Sequence, residues 1–282
     1  ELVDPARAEI IALEMQRVLR SRREAAMAPL APATAGKAGL ERAATLAGLG
    51  VAGLGMVVLV GWAFDVDTLR RVLPGLVTMK ANTAICFLLT GVALALRERG
   101  VLRHFLAAAI GIVAMLSLSE YLTNMDFGID QLLFHDPGDP QTIPGRMAQS
   151  TAAAFIASGV ALALLGGRGA AALGAQQVCS LFAGVVGMAA LLGYLYGAQA
   201  LYKPLGLSSM ALHTAGAFVL LSAGLFCAQP AGFSILWTLE GPGGQLARRL
   251  LPAALLVPGL AGGLHVLGER SGAYTSPVGT EL

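Results

Sequence analysis

Seven stretches of about twenty predominantly apolar residues, separated by short segments carrying charge, Pro or Gly, constrain this chain more than any other feature. A hydrocarbon layer about 30 Å thick is crossed by about 20 helical residues rising 1.5 Å each. The stretches 43–64, 79–96, 103–122, 147–165, 173–196, 209–228 and 246–268 have that length. Inside hydrocarbon the backbone has no water to bond, so single segments this apolar cross as helices. Composition agrees: 56% of the 282 residues are hydrophobic, 13% are charged and the mean hydropathy is +0.70, which excludes an ordinary water-soluble globule. The expected fold class is all-α, a polytopic helical membrane protein with seven transmembrane helices.

The charges give the orientation. With the N-terminus inside, segments 1–42, 97–103, 166–172 and 229–249 hold 13 of the 19 Lys and Arg residues. The positive-inside rule therefore predicts a cytoplasmic N-terminus. Residues 1–27 place Ile11, Met15, Val18 and Leu19 on one helical face and Arg17, Arg20, Arg22 and Arg23 toward one end. That is a basic amphipathic helix, either a solvated extension or a helix bound to anionic lipid or to a protein partner. Residues 28–42 have linker composition. The membrane domain is expected over 43–270, and 271–282 form a tail where an eighth span would begin, as if the chain were cut ahead of it. The outer loop 123–146 is acidic, with Asp126, Asp130, Asp136 and Asp139 against Arg146. A net charge of +2 gives no footprint for nucleic acid. Cys86, Cys179 and Cys227 lie in separate apolar segments, without the paired spacing of a disulfide framework or a thiolate metal site.

Three spans open with one pattern. Met79, Asn82, Thr83, Ala84, Phe87 and Gly91 match Met147, Ser150, Thr151, Ala152, Phe155 and Gly159, and then Met210, His213, Thr214, Ala215, Phe218 and Ser222. Their offsets are 0, 3, 4, 5, 8 and 12. A Pro and a Gly precede each copy, and the partner spans end in Gly61-Trp62, Glu120-Tyr121 and Gly193-Tyr194. The unit is thus a helical hairpin used three times, in parallel about an axis normal to the membrane, whereas transporters more often carry inverted repeats. Asn82, Thr83, Phe87, Ser150, Thr151, Phe155, Thr214 and Phe218 are expected to be structural, packing helices closely and bonding across them. Equivalent positions of a rotational repeat lie at equal depth and radius, so Asn82, Ser150 and His213 are expected to approach one another near the axis.

Glu120 is the one acidic residue within the expected spans, and an ionisable group at membrane depth is a functional hypothesis by default. Glu120, Tyr121, Tyr194, His213 and His265 fall at the same outer level and form a candidate ligand pocket for a polar molecule, lipid or a quinone headgroup. The rival reading is an aromatic belt with an interfacial acid. No spacing supports a metal site, no cofactor is expected, and the phosphate loops, nucleophile elbows and metalloprotease motifs of enzymes are missing from the sequence.

Several motifs carry a resemblance. The stretch from Gly61-Trp62-Ala63-Phe64-Asp65 through Leu73-Pro74-Gly75-Leu76-Val77-Thr78-Met79-Lys80-Ala81-Asn82-Thr83-Ala84 resembles the N-terminal membrane region of bacterial PAS-containing sensor histidine kinases and diguanylate cyclases. Asp126-Phe127-Gly128-Ile129-Asp130, Leu192-Gly193-Tyr194-Leu195-Tyr196-Gly197 and Arg248-Arg249-Leu250-Leu251-Pro252 are similar to that region too. The resemblance implies a sensory input module, with an eighth span leading to cytoplasmic two-component or cyclase domains that would hold any catalysis. The basic N-terminus departs from that pattern and leaves a second reading, a structural or accessory subunit of a larger membrane complex. Expected partners are the bilayer and either a second copy or such a complex.

Overall fold

The computed structural model describes residues 14–17, 34–138, 142–167, 169–197 and 208–229. The regular structure among them is helical, without a strand: α1 (Thr34–Ala63), α2 (Asp67–Arg70), α3 (Ala81–Ala95), α4 (Gly100–Thr123), α5 (Gln149–Leu164), α6 (Ala170–Tyr196) and α7 (Leu212–Ala228). Residues 14–17 are helical and exposed. The rest of the amphipathic segment, the span 246–268, the tail and His265 lie outside the described residues.

Helix α1 starts at Thr34, inside the stretch whose composition reads as linker. Ala and Leu dominate its early turns, and Lys37 and Glu41 pair at 3.9 Å one turn apart, so propensity there favours continuing the helix toward the basic end. Asn124 after α4 and Gly197 after α6 adopt the left-handed conformation that closes a helix.

The helices fall into two classes. Lys37–Ala63, Gly100–Thr123 and Ala170–Tyr196 are long and apolar enough to cross a membrane. The apolar helices α3, α5 and α7 have 15, 16 and 17 residues, about 22–26 Å of rise. The short helices are the centre. Each packs most extensively on one long helix, α3 on α1, α5 on α4 and α7 on α6, while α1 on α7, α5 on α6 and α3 on α4 close the circle. The long helices turn Leu46, Leu49, Met56, Ile112, Met115, Val178 and Val185 outward, an apolar surface suited to lipid.

At the centre, the rings of Phe87, Phe155 and Phe218 form a nearly equilateral triangle. Their centroids lie 4.7, 4.9 and 4.8 Å apart, with interplanar angles of 61°, 60° and 59°. Seven residues further along each helix, Leu94, Leu162 and Leu225 are fully buried. Glycine lets the pairs approach. A Cβ on Gly91 would strike the backbone of Ala52, and one on Gly187 would lie 2.6 Å from the Ala215 carbonyl oxygen. Polar groups tie the same seams: Ser222 Oγ donates to the Ser180 carbonyl at 2.8 Å and Gln176 Nε2 to that of Leu225 at 3.1 Å. Arg97 at the far end of α3 reaches Thr45 Oγ1 at 2.9 Å and the Glu41 carbonyl at 3.0 Å, setting the register of the α1–α3 pair there.

Candidate functional site at the aromatic end of the bundle

Helices α3, α5 and α7 begin alike. Lys80, Ala148 and Ala211 precede them in extended conformation with ψ of 151°, 150° and 149°, and none of the three helices has a side-chain cap. The residue before each is a buried methionine whose carbonyl accepts a bond from the end of the neighbouring long helix. Trp62 Nε1 donates to Met79 at 2.9 Å, Tyr121 Oη to Met147 at 3.0 Å and Tyr194 Oη to Met210 at 2.6 Å. Between the three starts lies a cavity of about 10 Å³, lined by these methionines, by Thr83, Thr151 and Thr214, and by Lys80 and Arg146.

The acidic loop between α4 and α5 folds back over this end and is held by buried ion pairs. Lys80 Nζ meets Asp136 Oδ2 at 2.7 Å, both side chains 4% exposed. The amides of Gly145 and Gly138 donate to the same carboxylate at 2.6 and 3.0 Å. Burial opposes the Asp136 charge, but these donors and the Lys80 ammonium outweigh it and hold the carboxyl below the usual carboxylate range.

Arg146 binds two acids at once. Its Nε lies 2.6 Å from Asp130 Oδ2 and 3.2 Å from Glu120 Oε2, and its guanidinium sits 5.2 Å from the centre of the Tyr121 ring. Glu120 is fully buried at the end of α4 and accepts the Phe127 amide at 2.9 Å on its other oxygen. Asp130 Oδ1 is buried without a hydrogen-bond partner. Burial pushes the Asp130 carboxyl up to about 6, with Arg146 opposing the shift and Glu120 adding to it. Glu120, Asp126 and Asp130 each bring a ligand atom within 4.8 Å of the others. Such hard oxygens suit a divalent cation, though Arg146 already supplies positive charge to two of them. Chemically, the cluster can change state by taking up one proton or cation.

The residues of the candidate ligand pocket are divided between interfaces. Glu120 and Tyr121 face Arg146 and Met147, while Tyr194 faces Met210. His213, half-buried, lies against the Arg70 backbone with neither ring nitrogen in hydrogen-bonding geometry. The tyrosine hydroxyls that an aromatic belt would leave to water are bonded to backbone. The side chains lining the axis are Thr83, Thr151 and Thr214, not Asn82, Ser150 and His213. One residue is about 100° of helical rotation, enough to turn offset 3 off the axis and bring offset 4 onto it. Asn82 Oδ1 instead accepts from the Thr83 amide at 2.7 Å. The sequence reading missed the partnership of Glu120 with Asp130 and Arg146. The mixed charge of the loop was its only signal.

Comparison with known proteins adds no identification: no protein-family model, curated protein or solved structure matches the chain.

Proposed function

We propose that the chain is a membrane-embedded sensory input module of a bacterial signal-transduction protein. On this reading the pairs α1–α3, α4–α5 and α6–α7 are three parallel hairpins about an axis normal to the inner membrane, a seventh span follows over 246–268, and the N-terminus is cytoplasmic. The near-equal Phe separations and the thrice-repeated bond from an aromatic donor to a Met carbonyl support the arrangement. The aromatic end is then periplasmic and the end carrying Arg97 and Arg103 cytoplasmic.

The observation that carries the sensory reading is the buried cluster of Glu120, Arg146 and Asp130. A buried ion cluster is weak evidence for stability, since well-packed apolar side chains serve as well. It suits an element that must change state. Buried in the closed loop, Asp130 takes up a proton more readily than it would in an opened, hydrated loop, so protonation favours the closed arrangement, and loss of that proton as pH rises through about 6 loosens the loop that links α4 to the starts of α3 and α5. Tyr121 on α4 and Asp126 in the loop are the other titratable groups nearby.

Hydrogen–deuterium exchange of the chain in lipid nanodiscs tests this. The sensory reading predicts that Glu120→Gln raises exchange in loop 124–146 and also changes it at the opposite end, in 41–46 and 94–103. An accessory scaffold predicts a response confined to the loop, and that result would overturn the proposal.

A further inference from the structure

Each long helix finishes at the aromatic end in the same way. One side chain turns inward to bond a Met carbonyl, and the next large apolar one stays outside: Phe64 follows Trp62, Leu122 follows Tyr121 and Leu195 follows Tyr194, and they are 76%, 78% and 48% exposed. Because α1, α4 and α6 stand around the three short helices, these residues encircle the bundle at one level. The apolar surface then continues into the loops. Leu73 is exposed after α2, and Leu132 and Leu133 in the loop after α4 are 75% and 60% exposed. The next residue, Phe134, packs its ring 6.2 Å from that of Trp62, which sets this stretch beside the end of α1. The acids near Phe64 are paired, Asp65 with Arg70 and Asp67 with Arg71, each at 2.9 Å.

Helix length says what covers these side chains. The short helices α3, α5 and α7 rise about 22–26 Å, less than a hydrocarbon layer of about 30 Å. At the opposite end Glu98 and Arg99 are exposed directly after α3, and their charge ends the apolar layer there. The shortfall therefore lies at the aromatic end, where apolar side chains run on past the helices. Polar atoms of Trp and Tyr ordinarily hold the ends of spans in the interface. Those of Trp62, Tyr121 and Tyr194 are bonded to backbone, so the apolar residues beyond them are left to do it.

We infer that the loops after α1 and α4 lie in the bilayer interface, with Phe64, Leu73, Leu132 and Leu133 reaching the boundary of the acyl chains, so that the occupant of this surface is lipid. A single protein partner would cover one side of the bundle, whereas exposed apolar residues at the ends of all three long helices fit an occupant that surrounds it. The headgroup layer is several ångströms deep and hydrated, so the paired acids of the same loops keep their contact with water. The loop that carries Asp130 and Asp136 is thus held between the bundle and the membrane surface. This inference rests on the three long helices crossing a membrane, and neither on the sensory reading nor on which side this end faces.

The test uses the full chain in nanodiscs, in a background lacking Cys86, Cys179 and Cys227. Nitroxide labels on Leu132→Cys and, separately, on Leu133→Cys report collisions with oxygen, which concentrates in hydrocarbon, and with nickel–EDDA, which stays in water. Both positions are exposed, so the label itself leaves the packing intact. Met115→Cys on the outward face of α4 gives the lipid reference and Glu98→Cys after α3 the water reference. The oxygen-to-nickel collision ratio at 132 and 133 should approach that of the Met115 label and exceed that of the Glu98 label several-fold. A ratio equal to that of the Glu98 label would overturn the inference. Labels shielded from both reagents would overturn it too, as the signature of a protein partner or a second copy. Were the Met115 label itself as open to nickel–EDDA as the Glu98 label, the membrane placement would fall and this inference with it.

Discussion

The indole Nε1 of Trp62 donates to the carbonyl oxygen of Met79 across 2.9 Å, joining the end of α1 to the residue that leads into α3. Tyr121 and Tyr194 do the same for Met147 and Met210. Removing only the hydroxyl takes away the bond and keeps the ring. Tyr121→Phe and Tyr194→Phe should each destabilise the bundle by about 0.5–1.5 kcal/mol in reversible unfolding from mixed micelles. Their effects should add, because the two bonds share no partner.

The three rings of the Phe triangle are fully buried against one another at the centre. Phe155→Ala should cost about 3–5 kcal/mol, and Phe155→Leu distinctly less, because the cost grows with the cavity left behind. Equal costs for the two variants would mean that the neighbouring rings collapse into the space.

Gly91 and Gly187 sit where a side chain would meet the backbone of the partner helix, whereas Gly111 has nothing within 4 Å. Gly187→Val should destabilise by about 1–3 kcal/mol, the range for overpacking. Gly111→Ala should be neutral or slightly stabilising, since alanine is the better helix former. The same unfolding assay separates them.

These positions show what the sequence makes legible. Apolar run length locates the helices well: 103–122 anticipates Gly100–Thr123, and 173–196 anticipates Ala170–Tyr196. Offset spacing marks Phe87, Phe155 and Phe218 as packing residues, and they meet. The rotational phase of each short helix is hidden, because α3, α5 and α7 are apolar on nearly every side and no polar stripe says which face looks inward. The repeat therefore points Asn82, Ser150 and His213 to the axis that Thr83, Thr151 and Thr214 occupy. The Glu120–Arg146 and Lys80–Asp136 pairs were illegible for another reason. They depend on the path of an irregular loop, and neither period nor propensity fixes that path.

Lys80 and Asp136 form a buried pair, so breaking it leaves an uncompensated charge. Lys80→Met or Asp136→Asn should each cost about 3–5 kcal/mol. The double variant should lose less than the sum of the two, measured as a double-mutant cycle.

Asp130 has its carboxyl raised to about 6 in the folded chain, so between the ordinary carboxylate value and about 6 the folded state binds the extra proton. Its contribution to stability is thus fully present below the ordinary value and lost as pH rises through about 6. Asp136, held low, contributes in the opposite sense: its stabilisation is present above the ordinary value and lost as pH falls through its lowered folded value. Asp130→Asn should flatten the fall in stability between pH 4.5 and 7, and an unchanged profile would contradict the assignment.

The central claim is that the state of the Glu120–Arg146–Asp130 cluster is transmitted to the far end of the bundle. Spin labels on Glu98→Cys and Ala170→Cys, both exposed near that end, report it directly in a background lacking Cys86, Cys179 and Cys227. Double electron–electron resonance in nanodiscs should show the distance distribution shift between pH 7.5 and pH 5, with Glu120→Gln altering the shift. A distribution indifferent to both pH and Glu120→Gln, in protein that remains folded, would contradict the account.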